Sequence, residues 1–262
     1  MKVVWITGAS SGIGEALAKL YAQRGARLVL SARRELELKR VKQDCIRLGA
    51  NSDDILVLPL DITHYDAMGD AVEQVQNQFE RIDLLINNAG ISQRSKCLDT
   101  DLSVYQRLME VDVIGQIALT KAVLPVMVKQ GDGRIAVTSS VAGKVGVKWR
   151  TGYCAAKHAV MGFFDALRAE VAELGVEVST ITPGFIKTDV AKNAMAGDGN
   201  AFGADDEDIE SGMNVNKCAH KIVQGLERGE PEIAVGEGLP MVALLLKRFF
   251  PKTLFRIVAN KP

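Results

Sequence analysis

The chain has 262 residues, enough for one sizeable core, and its 32 Lys and Arg balance its 32 Asp and Glu. A formal net charge of zero removes the electrostatic case for a nucleic-acid partner. The four cysteines, Cys45, Cys97, Cys154 and Cys218, are scattered. They lack the Cys-x-x-Cys spacing of a zinc site and the density of a disulfide framework, so reduced thiols are expected.

Met1-Lys2-Val3-Val4-Trp5-Ile6-Thr7 reads as a strand at once, with no charged segment, apolar stretch and cleavage site before it. No signal peptide is expected, and a soluble, cytoplasmic protein follows as the expectation. In chain order, strands are predicted at 3–7, 27–32, 55–60, 83–87, 134–138, 176–181 and 232–235. Helices are predicted between them at 14–24, 35–48, 65–79, 103–129, 152–174 and 215–227. Short apolar strands alternating with helices imply an α/β fold, a doubly wound seven-stranded parallel sheet with helices on both faces. No repeat or low-complexity linker divides residues 1–262, so a single domain is expected. Residues 187–213 break the alternation. They are polar, glycine-containing and acidic, and read as a mobile flap over the carboxyl ends of the strands.

The first predicted strand runs into Thr7-Gly8-Ala9-Ser10-Ser11-Gly12-Ile13-Gly14 and then into a helix. Such a turn aims backbone N–H groups at a phosphate, while its glycines let a pyrophosphate approach the main chain. The spacing Gly-x-x-x-Gly-x-Gly differs from the commoner Gly-x-Gly-x-x-Gly of dinucleotide sites. The second strand ends Ser31-Ala32-Arg33-Arg34, where NAD-binding sheets carry an acid for the ribose hydroxyls. A guanidinium holds a 2′-phosphate that an acid would repel, so Arg33 predicts NADP(H) in preference to NAD(H). Arg34 reads either as a solvated helix start or as a second phosphate contact.

Ser140, Tyr153 and Lys157 form the other constellation. Residues four apart share a helix face, so Tyr153 and Lys157 point into one space. A phenol is a poor acid or base near neutrality, with an ordinary pKa of ~10, and a fixed cation nearby favours its anion. A serine hydroxyl beside them holds a carbonyl oxygen while the phenol moves the proton. Alone the spacing is weak, since a Lys follows a given Tyr at this distance by chance in roughly one case in fifteen. Tyr21, Tyr65 and Tyr105 lack the partner.

Taken with Asp61, Asn87-Asn88-Ala89-Gly90 and Pro183-Gly184, these motifs, in this order, resemble the short-chain dehydrogenase/reductase family in its ordinary short branch, near the hydroxysteroid-dehydrogenase-like members. The resemblance implies a Rossmann-like fold and carbonyl–alcohol interconversion with a nicotinamide cofactor. It makes Tyr153 the acid/base and Ser140 the group that orients the substrate oxygen. Lys157 would favour the Tyr153 anion and hold the nicotinamide ribose. Gly8, Ser10, Ser11, Gly12, Ile13 and Gly14 would face the pyrophosphate, and Asn88, Ala89 and Gly90 would line the cofactor. Pro183, Gly184, Ile186 and Thr188 would sit at its carboxamide end and pyrophosphate. Asp61 would meet the adenine, although it also reads as a helix N-cap. One position departs from the family: Asp112 stands where Asn is usual. There a main-chain carbonyl positions a water in a proton relay, and the added carboxylate is expected to pair with Lys157 or alter the pH profile.

His64, His158 and His220 have no ligand spacing, so no metal is expected. The family resemblance implies a homodimer or homotetramer, with the helix carrying Phe163, Phe164, Leu167 and Val171 at the interface. The tail, 239–262, mixes Leu and Phe with Lys and Arg. It reads as a helix packed on the substrate side or on another subunit, with an amphipathic membrane-touching surface as the alternative. The substrate is expected to be a small carbonyl or alcohol compound of apolar character. A 3-oxoacyl reductase and a non-catalytic NADP(H)-binding sensor or scaffold are the alternative readings.

Overall fold

Val3-Val4-Trp5-Ile6-Thr7 forms strand β1 (Val3–Thr7), with every residue buried. Alternate side chains of a strand point to opposite faces. Here Val3 and Trp5 enter one core cluster while Val4 and Ile6 enter the other. A strand covered on both faces has no polar side to present, which is why the run is apolar throughout.

A computed structural model describes residues 1–204 and 206–260. Asp205, in the expected flap, and Lys261 and Pro262, at the end of the expected tail, lie outside the described residues. The other strands are β2 (Arg27–Ala32), β3 (Ile55–Pro59), β4 (Leu84–Asn87), β5 (Gly133–Thr138), β6 (Val176–Pro183) and β7 (Glu232–Val235). They pair in parallel in the order β3-β2-β1-β4-β5-β6-β7, the doubly wound sheet expected. The chain winds outward to β3 and then returns to the far side of β1 at β4. That reversal opens a crevice at the carboxyl ends of β1 and β4.

The helices are α1 (Gly12–Gln23), α2 (Glu35–Arg47), α3 (Met68–Phe79), α4 (Leu102–Met109), α5 (Gly115–Gln130), α6 (Thr151–Glu170), α7 (Glu207–Glu210), α8 (Val215–Glu227), α9 (Leu239–Phe249) and α10 (Pro251–Asn260). Leu17, Leu38 and Ile222 bring α1, α2 and α8 onto one face of the sheet. Val75, Leu108, Leu119 and Phe164 bring α3, α4, α5 and α6 onto the other. Phe164, Leu167 and Val171, expected at a subunit interface, are buried within this chain.

The helix expected at 103–129 is not regular. A π-helical turn, Glu110–Ile114, separates α4 from α5 and carries Asp112 into the interior. Such a widened turn is an irregularity that a 3.6-residue period cannot reveal. The stretch Leu102–Gln130 is long and apolar enough to cross a membrane by length and composition, but half of its most apolar window is buried. It packs on β4 and β5, so burial against the sheet accounts for its apolarity. The helix expected at 152–174 ends at Glu170, and the chain turns into β6 through Gly175 at φ 73°. Strand β6 runs on to Pro183, two residues beyond the predicted end, because Thr182 and Pro183 still pair with Ala234 and Val235 of β7.

The expected flap follows β6 and is tied down at several points. Met195 bridges to Gln93, and Ile186 to Met213. The Asp206 carboxylate is buried between two guanidiniums, at 2.7 Å from Arg150 and also paired with Arg94. Arg94 lies against the rings of Trp149 and Phe202. The tail forms two helices, and Leu254 packs with Val141 and Val145 beside the crevice.

Candidate active site

Gly8 and Gly12 hold φ of 65° and 57°, a left-handed backbone that suits glycine, and together they bend the chain from β1 into α1. Gly14 sits against the same turn: a Cβ there would collide with the Gly8 carbonyl oxygen. The amino end of α1 is therefore laid directly on the carboxyl end of β1. Thr7 stitches this turn to β4, its hydroxyl accepting from the N–H groups of Asn88 and Ala89 at 3.0 Å each. Asn88 also donates to the Thr7 carbonyl at 3.2 Å. Thr188, from the start of the flap, reaches the turn as well, with its methyl 3.4 Å from where a Gly12 Cβ would stand.

Two arginines follow β2. Arg33 is exposed on the rim of the crevice. Arg34 donates to the hydroxyls of Ser10 and Ser11 at 3.2 and 3.3 Å, so its guanidinium lies beside the glycine turn. Arg40 is held back by Glu15 at 2.8 Å. Asp61 does not cap a helix. Its carboxylate accepts from the Thr63 N–H and hydroxyl at 3.0 and 2.8 Å, closing a local turn, and the next helical turn begins only at Tyr65. Burial works to raise the Asp61 carboxyl, but the Thr63 hydrogen bonds and the charges of Arg33 and Arg107 hold it below its ordinary range.

Lys157 is the centre of the second half of the site. Its ammonium is buried, donates to the Thr138 carbonyl at 3.1 Å and lies 3.1 Å from the Asp112 carboxylate. The pairing of Asp112 with Lys157 expected from the sequence is thus present. The other Asp112 oxygen accepts from the Ile91 N–H at 2.8 Å. Burial pushes the Asp112 carboxyl up against the opposing pull of Lys157. Burial alone would push the Lys157 ammonium down, but Asp112 and then Tyr153 outweigh it and raise it, so the lysine keeps its charge. Gly90 leaves the space: a Cβ there would stand 3.2 Å from Lys157 Nζ and 3.4 Å from both Asp112 oxygens.

The Tyr153 ring lies 5.6 Å from Lys157 Nζ, one turn earlier on α6. Ser140 follows β5 in extended backbone, accepting from the Ala142 N–H at 3.1 Å and donating to the Pro183 carbonyl at 3.4 Å. Its neighbour Ser139 donates instead to the Lys157 carbonyl at 3.1 Å, which pins α6 to the end of β5. Ser140, Tyr153 and Lys157 all line one cleft of about 860 Å³, together with Gly8, Arg33 and Asp61 at its other end. His158 is exposed, its ring nitrogen 2.8 Å from the Cys154 carbonyl, and takes no part in this cluster.

Three contributors were not singled out from the sequence. The Thr138 main-chain carbonyl accepts from Lys157, and the Gln116 side-chain amide donates to the Ala89 carbonyl at 2.8 Å. Gly143 allows α6 to approach, since a Cβ would strike the Ser139 hydroxyl. Only Thr138 had a local signal, its place at a predicted strand end two residues before Ser140.

The family profile described as short chain dehydrogenase matches residues 2–199. The chain belongs to the short-chain dehydrogenase family. Among its relatives, human dehydrogenase/reductase SDR family member 7 is 41% identical, over 95% of this chain and 74% of the relative. A Drosophila melanogaster SDR family protein 7-like dehydrogenase/reductase is 42% identical, over 99% of this chain and 80% of the relative. Among solved structures, a Burkholderia phymatum short-chain dehydrogenase/reductase in complex with NAD superposes with a TM-score of 0.83 at 22% identity, covering 98% of this chain and 94% of that one. A metagenomic short-chain oxidoreductase in complex with NADP has a TM-score of 0.66 at 30% identity, covering 70% of this chain and 81% of that one. Membership of this family makes the protein an oxidoreductase with a small-molecule substrate.

Proposed function

We propose that the protein interconverts a carbonyl and a secondary alcohol with NADP(H), and that Tyr153 is the acid/base. The observation that carries this reading is the shared cleft, with Tyr153 beside the buried, charged Lys157 at one end and Arg33 and Arg34 at the other. A dinucleotide fits the residues between. Gly8, Gly12 and Gly14 add no side chain of their own to the Gly8–Gly14 turn, and helix α1 presents its unpaired N–H groups there. The complexes of similar proteins with NAD and with NADP support a nicotinamide cofactor. Arg33 and Arg34, with no acid at Ala32, favour the form carrying a 2′-phosphate.

Bound in the cleft, the dinucleotide would supply or take the hydride. The chain's own work is on the proton and the oxygen. The Ser140 hydroxyl turns from the Pro183 carbonyl to hold the substrate oxygen. Tyr153 gives its proton to that oxygen in reduction and takes it back in oxidation. Lys157, kept charged by Asp112, offsets the negative charge that develops on the phenol oxygen. The apolar cleft wall from α9 and α10 suits a substrate of apolar character.

The test is NADPH and NADH oxidation over a panel of ketones, aldehydes and quinones. Tyr153→Phe should keep cofactor binding and lose about 10²- to 10⁴-fold in turnover, the usual worth of a positioned acid/base. Arg33→Ala with Arg34→Ala should weaken NADPH at least ~10-fold while leaving NADH little changed, because a lost charged hydrogen bond is worth ~1.5 kcal/mol or more. Cofactor binding without turnover on any compound would instead support the sensor reading, and equal use of both cofactors would remove the NADP(H) preference.

A further inference from the structure

The inner face of the tail belongs to the cleft, but its outer face has no part in the oxidoreductase reading. Helices α9 and α10 pack through an inner face: Leu246, Leu254 and Val258 line the cleft, and Leu254 is buried. Their outer face is left in solvent. Leu239, Val242, Leu245 and Phe249 recur at three- and four-residue steps along one side of α9, and no residue of that helix is buried. Leu245, Phe249 and Phe250 are 63%, 67% and 63% exposed, and Phe255 and Ile257 of α10 are exposed beside them.

Charge identifies the occupant. Residues 239–260 carry Lys247, Arg248, Lys252 and Arg256 and no carboxylate, while the rest of the chain holds 28 Lys and Arg against 32 Asp and Glu, so positive charge is concentrated in this segment. A second copy docked through a two-fold contact would set this patch against itself, cation against cation, with nothing in the segment to neutralise them. An anionic lipid surface answers both features. Acyl chains take the apolar side chains, and headgroup phosphates and carboxylates take the basic ones. Lys247 already lies 4.7 Å over the Phe255 ring, so a cation and an aromatic ring sit side by side, as at a headgroup level.

We propose that the outer face of α9 and α10 docks on an anionic bilayer and turns the mouth of the cleft toward it. Leu239, Val242 and Ile257 are both exposed and part of the cleft lining, so a lipid-soluble compound passes from the bilayer into the cleft without crossing water. This last step rests on the oxidoreductase reading. The docking itself does not.

The experiment is flotation of the full chain with vesicles of phosphatidylcholine alone or containing one-third phosphatidylserine. Binding to the anionic vesicles is expected to exceed that to the neutral ones by at least ~10-fold and to fall as salt rises, because each basic side chain near such a surface multiplies partition about fivefold. Leu245→Glu with Phe249→Glu should abolish flotation. Both positions are exposed and outside the cleft lining, so melting temperature and turnover of a water-soluble ketone should stay at parental values. Absence of flotation on anionic vesicles, or flotation unchanged in the double variant, overturns the proposal. So does light scattering that finds a parental dimer which the double variant dissociates, with no vesicle binding by either. Flotation without turnover on any substrate would leave the docking standing and remove only the oxidoreductase reading.

Discussion

Replacing Asp112 with Asn should move the pH profile of alcohol oxidation to lower pH. The carboxylate lies 3.1 Å from Lys157 Nζ, which is 5.6 Å from the centre of the Tyr153 ring. Allowing for the ring's own radius, the charge stands within about 12 Å of the phenol oxygen. At an effective dielectric near ~20 it opposes a negative charge at that oxygen by about 1.4 kcal/mol. Oxidation needs the anionic phenol, so removing this charge should extend activity to lower pH. Lys157 should respond in the same direction. Its ammonium is raised because Asp112 outweighs burial, so without the carboxylate it falls, and the alkaline limb moves down with it. The assay is kcat/KM for oxidation across pH 6–11, in parent and variant, on an alcohol identified by the substrate panel. Because Asn retains an oxygen for the Ile91 N–H and Lys157 keeps the Thr138 carbonyl, a folded, active variant is expected. Superimposable profiles, or a shift to higher pH, would refute the electrostatic argument.

Gly14→Ala drives a methyl group into the Gly8 carbonyl and should push α1 off the phosphate turn, weakening NADPH by at least ~10-fold in a fluorescence titration, since even 1.4 kcal/mol of strain is tenfold. A parental affinity would mean that the turn relaxes freely. Asp206→Asn leaves the Arg94 and Arg150 guanidiniums sharing a neutral amide in place of a carboxylate, a change that costs about 3 kcal/mol when one member of a buried pair is removed. Faster proteolysis and hydrogen exchange within 187–213 and a raised KM are expected, and unchanged exchange there would show that other contacts hold the flap.

The inner strands were legible because they are covered on both faces. Burial on both sides writes a strand as a largely apolar run, and 3–7 and 27–32 needed no adjustment, while 232–235, buried at alternate residues, was placed by its period of two. The glycine turn was legible for a related reason: a close approach between backbone segments excludes any Cβ, as at Gly14, so the residue type records the geometry. The π-helical turn at Glu110–Ile114 was not legible, because one extra residue in a turn leaves no mark in a helical period. The Asp61 turn was half legible: the acid at a strand end was evident, but Thr63 rather than a helix is what it holds.

Local spacing placed Tyr153 and Lys157 on one helix face, and the order of motifs along the chain assigned the family. Which groups those side chains meet was decided by tertiary structure alone. Asp112 reaches Lys157 from the π-helical turn, Arg34 reaches Ser10 and Ser11 from the end of β2, and Asp206 reaches Arg94 and Arg150 from the segment that follows β6. Periodicity reports which face of an element is buried. The distance between two elements depends on how every element between them packs, and no local pattern carries that sum.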